Sequence, residues 1–380
     1  MNQFVWTPIG SVPPVPPPSP AAVSFTGDRK EFLRLVARGA GLELVTVGFY
    51  RFWLVTDIRR HLWSNTLIDG DAAEYTGRGK ELLIGFLFAL AILVPIYLGY
   101  FLIGIEAERL QGLGSFPLIA AFYVFGQFAI YRARRYRLTR TVWRGVRFWM
   151  DGSAWAYAGR ATLWALFAIV TLGIALPWRQ AALERYKMRH SWYGDLQGEF
   201  VGQGSAFFKR IWWLWPVVPF AIVVFPALPF LYAHYKAAEW RWWISGIRFG
   251  GVRLKSSMSS DALVGLYWKV IGWSMLLSIA FSIFLAIVAG IIHGISGPAP
   301  TPGALATSIP LAIVTVIGYL ALALAFGVVS RLYLSRDLWA AVLASTEVHN
   351  IAAAANVSAK GELAGALGEG IADGLDVAGF

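Results

Sequence analysis

Four apolar runs constrain this chain more than anything else in it. Residues 82–105, 114–131, 270–292 and 305–329 contain no Asp, Glu, Lys or Arg. A helix needs about 20 such residues to cross the hydrocarbon core of a bilayer. The rest of the composition agrees, with 57% hydrophobic and 14% charged residues. That leaves too few polar groups to cover a water-facing surface, so lipid is the expected solvent. The runs fall into two pairs with short linkers, and each pair reads as a transmembrane hairpin.

Net charge is +11. The Lys and Arg residues sit between apolar runs, which points to membrane orientation and anionic headgroups rather than nucleic acid. Residues 132–147 carry Arg132, Arg134, Arg135, Arg137, Arg140, Arg144 and Arg147, and 179–210 and 236–255 are also basic. Residues 106–114 and 293–303 are not. The positive-inside rule places the basic loops in the cytoplasm, with both termini. Residues 1–24 include a Pro-rich tract and read as a disordered leader rather than a signal peptide.

Two further apolar stretches conflict with that rule. Residues 161–178 and 211–235 are each flanked by basic loops on both sides. Two full crossings would cancel but leave 179–210 outside, whereas two re-entrant or interfacial elements would keep every basic loop inside. The second stretch contains Pro216, Pro219, Pro226 and Pro229. Each removes a backbone donor, so two half-membrane helices or a strongly kinked span are expected.

An internal repeat favours the re-entrant arrangement. Sliding the chain by 125 residues superposes Thr46 on Thr171, Gly48 on Gly173, Trp53 on Trp178, Arg60 on Arg185, Glu74 on Glu199 and Gly77 on Gly202, without gaps. A weaker echo pairs Gly145-Val146-Arg147-Phe148 with Gly246-Ile247-Arg248-Phe249. The first copy carries Arg38, Glu43 and Arg51 in its helix, which are costly at mid-bilayer. Both copies are therefore expected at the interface. The membrane domain is expected over 25–336, with repeat copies at about 25–131 and 150–235 and a degenerate third unit at about 236–336. Residues 337–380 read as a cytoplasmic helical tail, ending in an acidic amphipathic segment. The fold class expected is an all-α polytopic membrane protein with internal repeats, built from transmembrane hairpins and interfacial or re-entrant helices. Short β segments such as Thr66-Leu67-Ile68-Asp69-Gly70 are expected to pair into a small cytoplasmic sheet.

The segments Thr46-Val47-Gly48-Phe49-Tyr50-Arg51-Phe52-Trp53, Arg59-Arg60-His61-Leu62-Trp63 and Glu74-Tyr75-Thr76-Gly77-Arg78-Gly79-Lys80-Glu81-Leu82 resemble the YjgN-like inner-membrane protein family, a domain of unknown function (DUF898). Trp143-Arg144-Gly145-Val146-Arg147-Phe148, Thr171-Leu172-Gly173 with Pro177-Trp178, Arg185-Tyr186 and Gly368-Glu369-Gly370-Ile371-Ala372-Asp373 fit as well. The likeness runs from about Phe25 to Phe380. It implies a bacterial inner-membrane location and no particular reaction.

Catalytic and metal chemistry finds little support. There is no Cys, and His61, His190, His234, His293 and His349 are scattered. No P-loop or Gly-x-Ser-x-Gly elbow is present, and Gly77-x-Gly79 lacks a third glycine. No cofactor is expected. Candidate lipid or anion contacts are Arg60 and Arg185, which recur with Glu74 and Glu199, and Arg134, Arg135, Arg137 and Arg140. The bland alternative for the first two is a structural pair pinning helix to strand. Pro216, Pro219, Pro226 and Pro229 are candidate broken-helix residues, or merely shape a short hairpin. The function expected is a non-enzymatic membrane or envelope factor, or a scaffold that contacts anionic lipid. The alternatives are a transporter or channel component using 211–235 and, more distantly, a lipid-acting enzyme. Membrane lipids are the expected partners.

Overall fold

Two-residue turns organise the polar segments into strands. Asp69 and Gly70 have φ of 54° and 84°, and Arg144 and Gly145 have 48° and 74°. Two successive left-handed residues make the turn that matches the twist of an antiparallel hairpin. Gly194 and Gly250 supply positive φ at two further turns. The computed structural model describes residues 20–106, 115–221, 225–296, 309–361 and 363–365.

The strands and helices alternate in one pattern. A five-residue strand leads into a helical hairpin, which returns through a shorter strand. β1 (Ala21–Phe25) leads into α1 (Arg29–Val45) and α2 (Arg51–Ser64), then β2 (Thr66–Ile68). β3 (Asp71–Tyr75) leads into α3 (Gly79–Glu106) and α4 (Ser115–Thr139), then β4 (Thr141–Trp143). β5 (Val146–Met150) leads into α5 (Ala154–Val170) and α6 (Leu176–Arg189), then β6 (Ser191–Tyr193). β7 (Leu196–Phe200) leads into α7 (Gly204–Ile211), α8 (Leu214–Ala221) and α9 (Leu228–Gly246), then β8 (Ile247–Phe249). β9 (Val252–Ser256) leads into α10 (Ser260–Ser296), α11 (Ile309–Ser330) and α12 (Leu338–Ala344), then β10 (Thr346–His349).

The ten strands among the described residues close into one antiparallel barrel, each pairing with its neighbours in sequence and β10 pairing with β1. The expectation of an all-α protein is therefore overturned, and the small sheet expected is a complete barrel. Tight turns lie at one rim and all five helical hairpins leave from the other. Each hairpin is drawn shut at its neck by the same backbone bond. The amides of Thr26, Thr76, Asp151, Val201 and Ser257 donate to the carbonyls of Asn65, Arg140, His190, Gly246 and Ser345, at 3.0, 2.8, 3.0, 2.9 and 2.8 Å.

Alternation decides which face of the barrel meets water. Val23, Ile68, Trp143, Phe148, Tyr193, Phe249, Val252, Leu254 and Val348 pack together in its interior. The intervening positions carry Glu74, Arg147, Glu199, Arg248, Arg253 and Glu347. An apolar filling inside a charged wall is the reverse of a lipid-embedded barrel. Ile351, Ala354 and Val357 extend this packing past the end of β10.

The hairpins differ in reach. Gly79–Phe101, Ser260–Ile291 and Ala312–Ala344 are each long and apolar enough to cross a membrane. α5, at 17 residues, spans only about 26 Å and turns back. The stretch 161–178, expected as one element, is bent at its middle by Thr171-Leu172-Gly173. The Thr171 hydroxyl donates to the Phe167 carbonyl at 2.9 Å and accepts from the Ala175 amide at 3.2 Å. Thr46 does the same with Leu42 and Tyr50, at 2.7 and 2.9 Å. Gly48 and Gly173 follow at φ of 87° and 85°, where any side chain would be strained. The recurrent Thr-x-Gly is thus the corner of a short helical hairpin. The conflict over basic flanks disappears, because both ends of each hairpin join one rim.

Element positions follow the spacing seen in the sequence. α5 starts at Ala154, 125 residues after α1 starts at Arg29, and β7 starts at Leu196, 125 after β3 at Asp71. The weaker echo does not match equivalent strands, since Val146 opens β5 and Ile247 opens β8. Residues 211–235 divide into α8, a 3-10 turn at Phe225–Ala227 and the start of α9, with 222–224 outside the described residues. The segment expected as a tail from residue 337 supplies α12 and closes the barrel through β10. Residues 21–24, placed by the sequence in the leader, belong to β1. The rest of the Pro-rich leader and most of the acidic C-terminal segment lie outside the described residues.

The Gly-x-Gly that opens α3 and α7 is a close approach of backbones. A Cβ on Gly79 would lie 2.8 Å from Trp53 Cα, and one on Gly204 2.7 Å from Trp178 Cα. Gly204→Ala is expected to destabilise by about 1–3 kcal/mol, because backbone cannot yield as a side chain can. Gly159→Ala, on α5 with open space around it, is the control and should hold or raise the unfolding midpoint in detergent. Equal midpoints for the two variants would contradict the packing described.

Candidate anion-binding site

The return helices α4, α6 and α9 bring charge together above the barrel. α6 and α9 begin with Pro177 and Pro229 in their first turns, where a missing N–H is harmless. From there each runs back toward its neck and faces its neighbours. Between them, with Tyr157 of α5, lies a cavity of about 340 Å3. Arg134, Arg137, Arg179, Gln180, Glu184, Lys187, Lys236 and Glu239 line it, with Trp240, Trp242 and Trp243.

Two carboxylates organise the cations. Arg134 Nη1 donates to Glu184 Oε2 at 3.2 Å, and Lys187, one turn on, pairs with the other carboxylate oxygen. Lys236 Nζ donates to Glu239 Oε2 at 2.7 Å. Gln180 Nε2 donates to Tyr235 Oη at 3.1 Å and to Glu239 Oε1 at 3.3 Å. Arg179 Nη2 reaches Tyr123 Oη at 3.0 Å. Burial opposes the charge on Glu184, but Lys187 and Arg134 outweigh it and hold its carboxyl down at about 2. The carboxylate stays ionised because the cations beside it need it. Arg179 Nε and Gln180 Oε1 are buried and meet no protein partner.

The sequence singled out some of these residues and not others. Arg134 and Arg137 belong to the cavity. Arg140 does not: it is buried at the neck of the second hairpin, where Nε donates to Glu81 Oε2 at 3.0 Å and Nη2 to the Ala364 carbonyl at 3.3 Å. Arg135 is half-buried on α4. Residues 132–147, read as a loop, are the end of α4, two strands and their turn. Arg144 spans two turns of the barrel, donating to Asp71 at 2.5 Å and Asp69 at 2.9 Å.

Arg60 and Arg185 sit at equivalent places on α2 and α6. Arg60 Nη2 donates to the Gly77 carbonyl at 2.8 Å and Arg185 Nη2 to the Gly202 carbonyl at 3.4 Å. Each ties its helix to the segment that follows β3 or β7, while Glu74 and Glu199 point outward from those strands. Arg60 also lines a groove with Arg34 and Arg38. Pro216 and Pro219 lie within α8, and Pro226 forms the 3-10 turn.

Glu184, Lys187, Lys236, Glu239, Arg179 and Gln180 were not singled out. The usable signal was an acid and a base three residues apart, twice, the second time inside the aromatic-rich α9. No curated protein and no solved structure matches the chain. A family model matches residues 20–231 and 214–374, which takes in nearly all of the barrel and its hairpins. The chain belongs to that family, the bacterial proteins of unknown function DUF898.

Proposed function

We propose that the protein is a non-enzymatic factor of the bacterial inner membrane, which seats its barrel on the cytoplasmic face and contacts anionic lipid there. One observation carries this reading: the short hairpins are basic at the base and mainly apolar at the tip, where the first keeps Arg51 and a Glu43 paired with Arg331. On α1, Arg29, Lys30, Arg34 and Arg38 are exposed near the barrel, and Leu44 and Val45 are exposed at the far end. Val47 and Leu172, at the corners, are each 87% exposed. Lys209 and Arg210 continue the basic level on α7. Such a gradient suits a hairpin that passes anionic headgroups and stops in the near leaflet. The charged barrel wall then stays in water, and basic residues on the inner side accord with the positive-inside rule. The filled barrel interior gives conduction through the barrel no support.

The absence of cysteine from the sequence makes the test direct. Lys255→Cys, on the outer wall of the barrel, should react with a membrane-impermeant maleimide only in inverted vesicles. Val47→Cys and Leu172→Cys should resist that reagent from both sides and react with a lipid-soluble one. Labelling of Lys255→Cys in intact spheroplasts would put the barrel on the opposite face and overturn the reading.

A further inference from the structure

We propose that the charged cavity and an apolar groove beside it form one site, which holds a single anionic amphiphile with a phosphate head. This rests on the reading that the protein contacts anionic lipid, and narrows it to one enclosed molecule. The groove has a volume of about 510 Å3 and is lined by Leu172, Leu176, Leu214, Trp215, Leu231 and Tyr235, among others. One contact joins it to the cavity: Gln180 of the cavity donates to Tyr235 of the groove at 3.1 Å.

The two compartments are ordered along the helices. On α6, Leu176 comes first, then Arg179 and Gln180, then Glu184 and Lys187 nearest the neck. On α9 the order is Leu231, Tyr235, Lys236, Glu239 and Trp243. Apolar surface therefore faces the corner of the hairpin, and charge faces the barrel. An amphiphile lies the same way in the leaflet that these hairpins enter.

The charge selects the head. The cavity carries Arg134, Arg137, Arg179, Lys187 and Lys236 against Glu184 and Glu239, an excess of three positive charges. A zwitterionic head would bring its own cation into that field, whereas a phosphodiester with an uncharged end would not. Arg179 lines the cavity, and a guanidinium offers a forked geometry for a phosphate oxygen. Gln180 beside it carries an amide able to meet a hydroxyl. A glycerol-type head supplies both groups. The volumes fall within the range of small-molecule sites.

The full chain, purified in mild detergent, would be offered equal amounts of dioleoylphosphatidylglycerol and dioleoylphosphatidylcholine and examined by native mass spectrometry. One phosphatidylglycerol should survive collisional activation, with at least a tenfold preference over phosphatidylcholine. Arg179→Gln combined with Lys236→Met should lower that retained fraction at least tenfold. Leu231→Trp, which fills the groove and spares the charges, should do the same. It should also leave binding of sn-glycerol 3-phosphate, measured by calorimetry, unchanged. Circular dichroism and size exclusion check folding, and where the double variant fails to fold, Leu231→Trp alone decides. Wild-type retention in a folded variant overturns the site. Binding of glycerol phosphate with no retained lipid also overturns it, in favour of a free phosphate site. A variant with Arg34, Arg38, Lys209 and Arg210 changed to Gln tests the broader reading separately. It should lose loosely bound phosphatidylglycerol and keep the tight one. Unchanged loose binding counts against surface contact, and loss of only the tight lipid would overturn the enclosed site.

Discussion

Replacing Glu184 with glutamine is expected to destabilise the folded protein by about 3–5 kcal/mol. The substitution keeps the shape of the side chain and removes its charge. Arg134 and Lys187 are then left facing each other in a confined space, and their side chains are only 19% and 14% exposed. The measurement is the midpoint of thermal or denaturant unfolding in detergent. Replacing Lys187 by methionine in the same chain should recover part of the loss, because one stranded cation goes with it. A single-variant loss below about 1 kcal/mol, the range of exposed ion pairs, would mean that solvent screens the cluster.

The same residue sets an acid dependence. Its carboxyl titrates at about 2 in the folded protein against an ordinary value of 4.5. A lowered pKa means that the folded state holds the proton less tightly than the unfolded chain. The stabilisation is therefore complete above pH 4.5 and is lost as pH falls from there toward 2. The Glu184→Gln protein should lack that part of the acid slope.

Ending the chain after Ser345 is expected to abolish a monodisperse product. The cut removes β10 and with it Val348, Ile351, Ala354 and Val357, which pack in the barrel interior. Each larger apolar side chain contributes about 1.5–3 kcal/mol when buried. β1 and β9 would also be left with open edges, which invite pairing between chains. The loss approaches the whole stability of an ordinary domain, about 5–15 kcal/mol. Size exclusion in detergent should show aggregate, and limited proteolysis should cut at the barrel. A chain ending at residue 365 keeps all these elements and should behave as the full protein does. Were the shorter chain monodisperse and protease-resistant, closure by β10 would be wrong.

That second contrast shows where the sequence was opaque. Residues 337–357 read as an Ala-rich helical tail because β10 is four residues long and follows helix α12 directly. Strands of three to five residues sit at or below the short end of the window in which alternation is visible. The alternation is also blurred by chemistry. Trp149 and Trp192 stack on the outer wall at 5.3 Å between ring centroids, where a polar residue was to be expected, and Ser191 lies buried. The long spans needed no such pattern, since absence of charge over 82–105 or 270–292 was enough. The Thr-x-Gly corner was visible as a repeat but not as a turn, because Thr and Gly at that spacing serve many local structures.

The cavity was half legible for a related reason. Arg134 stood out in a run of arginines, but its counter-charge Glu184 lies on another hairpin, 50 residues away in sequence. Glu239 and Lys236 lie further still. A network drawn from three hairpins leaves no local trace except its own acid–base spacing.

The barrel seam carries a last consequence. Because β1 and β10 are hydrogen-bonded neighbours, joining the two ends and opening the chain at the Asp69–Gly70 turn would leave every strand with the partners it has now. Such a circular permutant should insert and fold, its seam moved two strands around the ring.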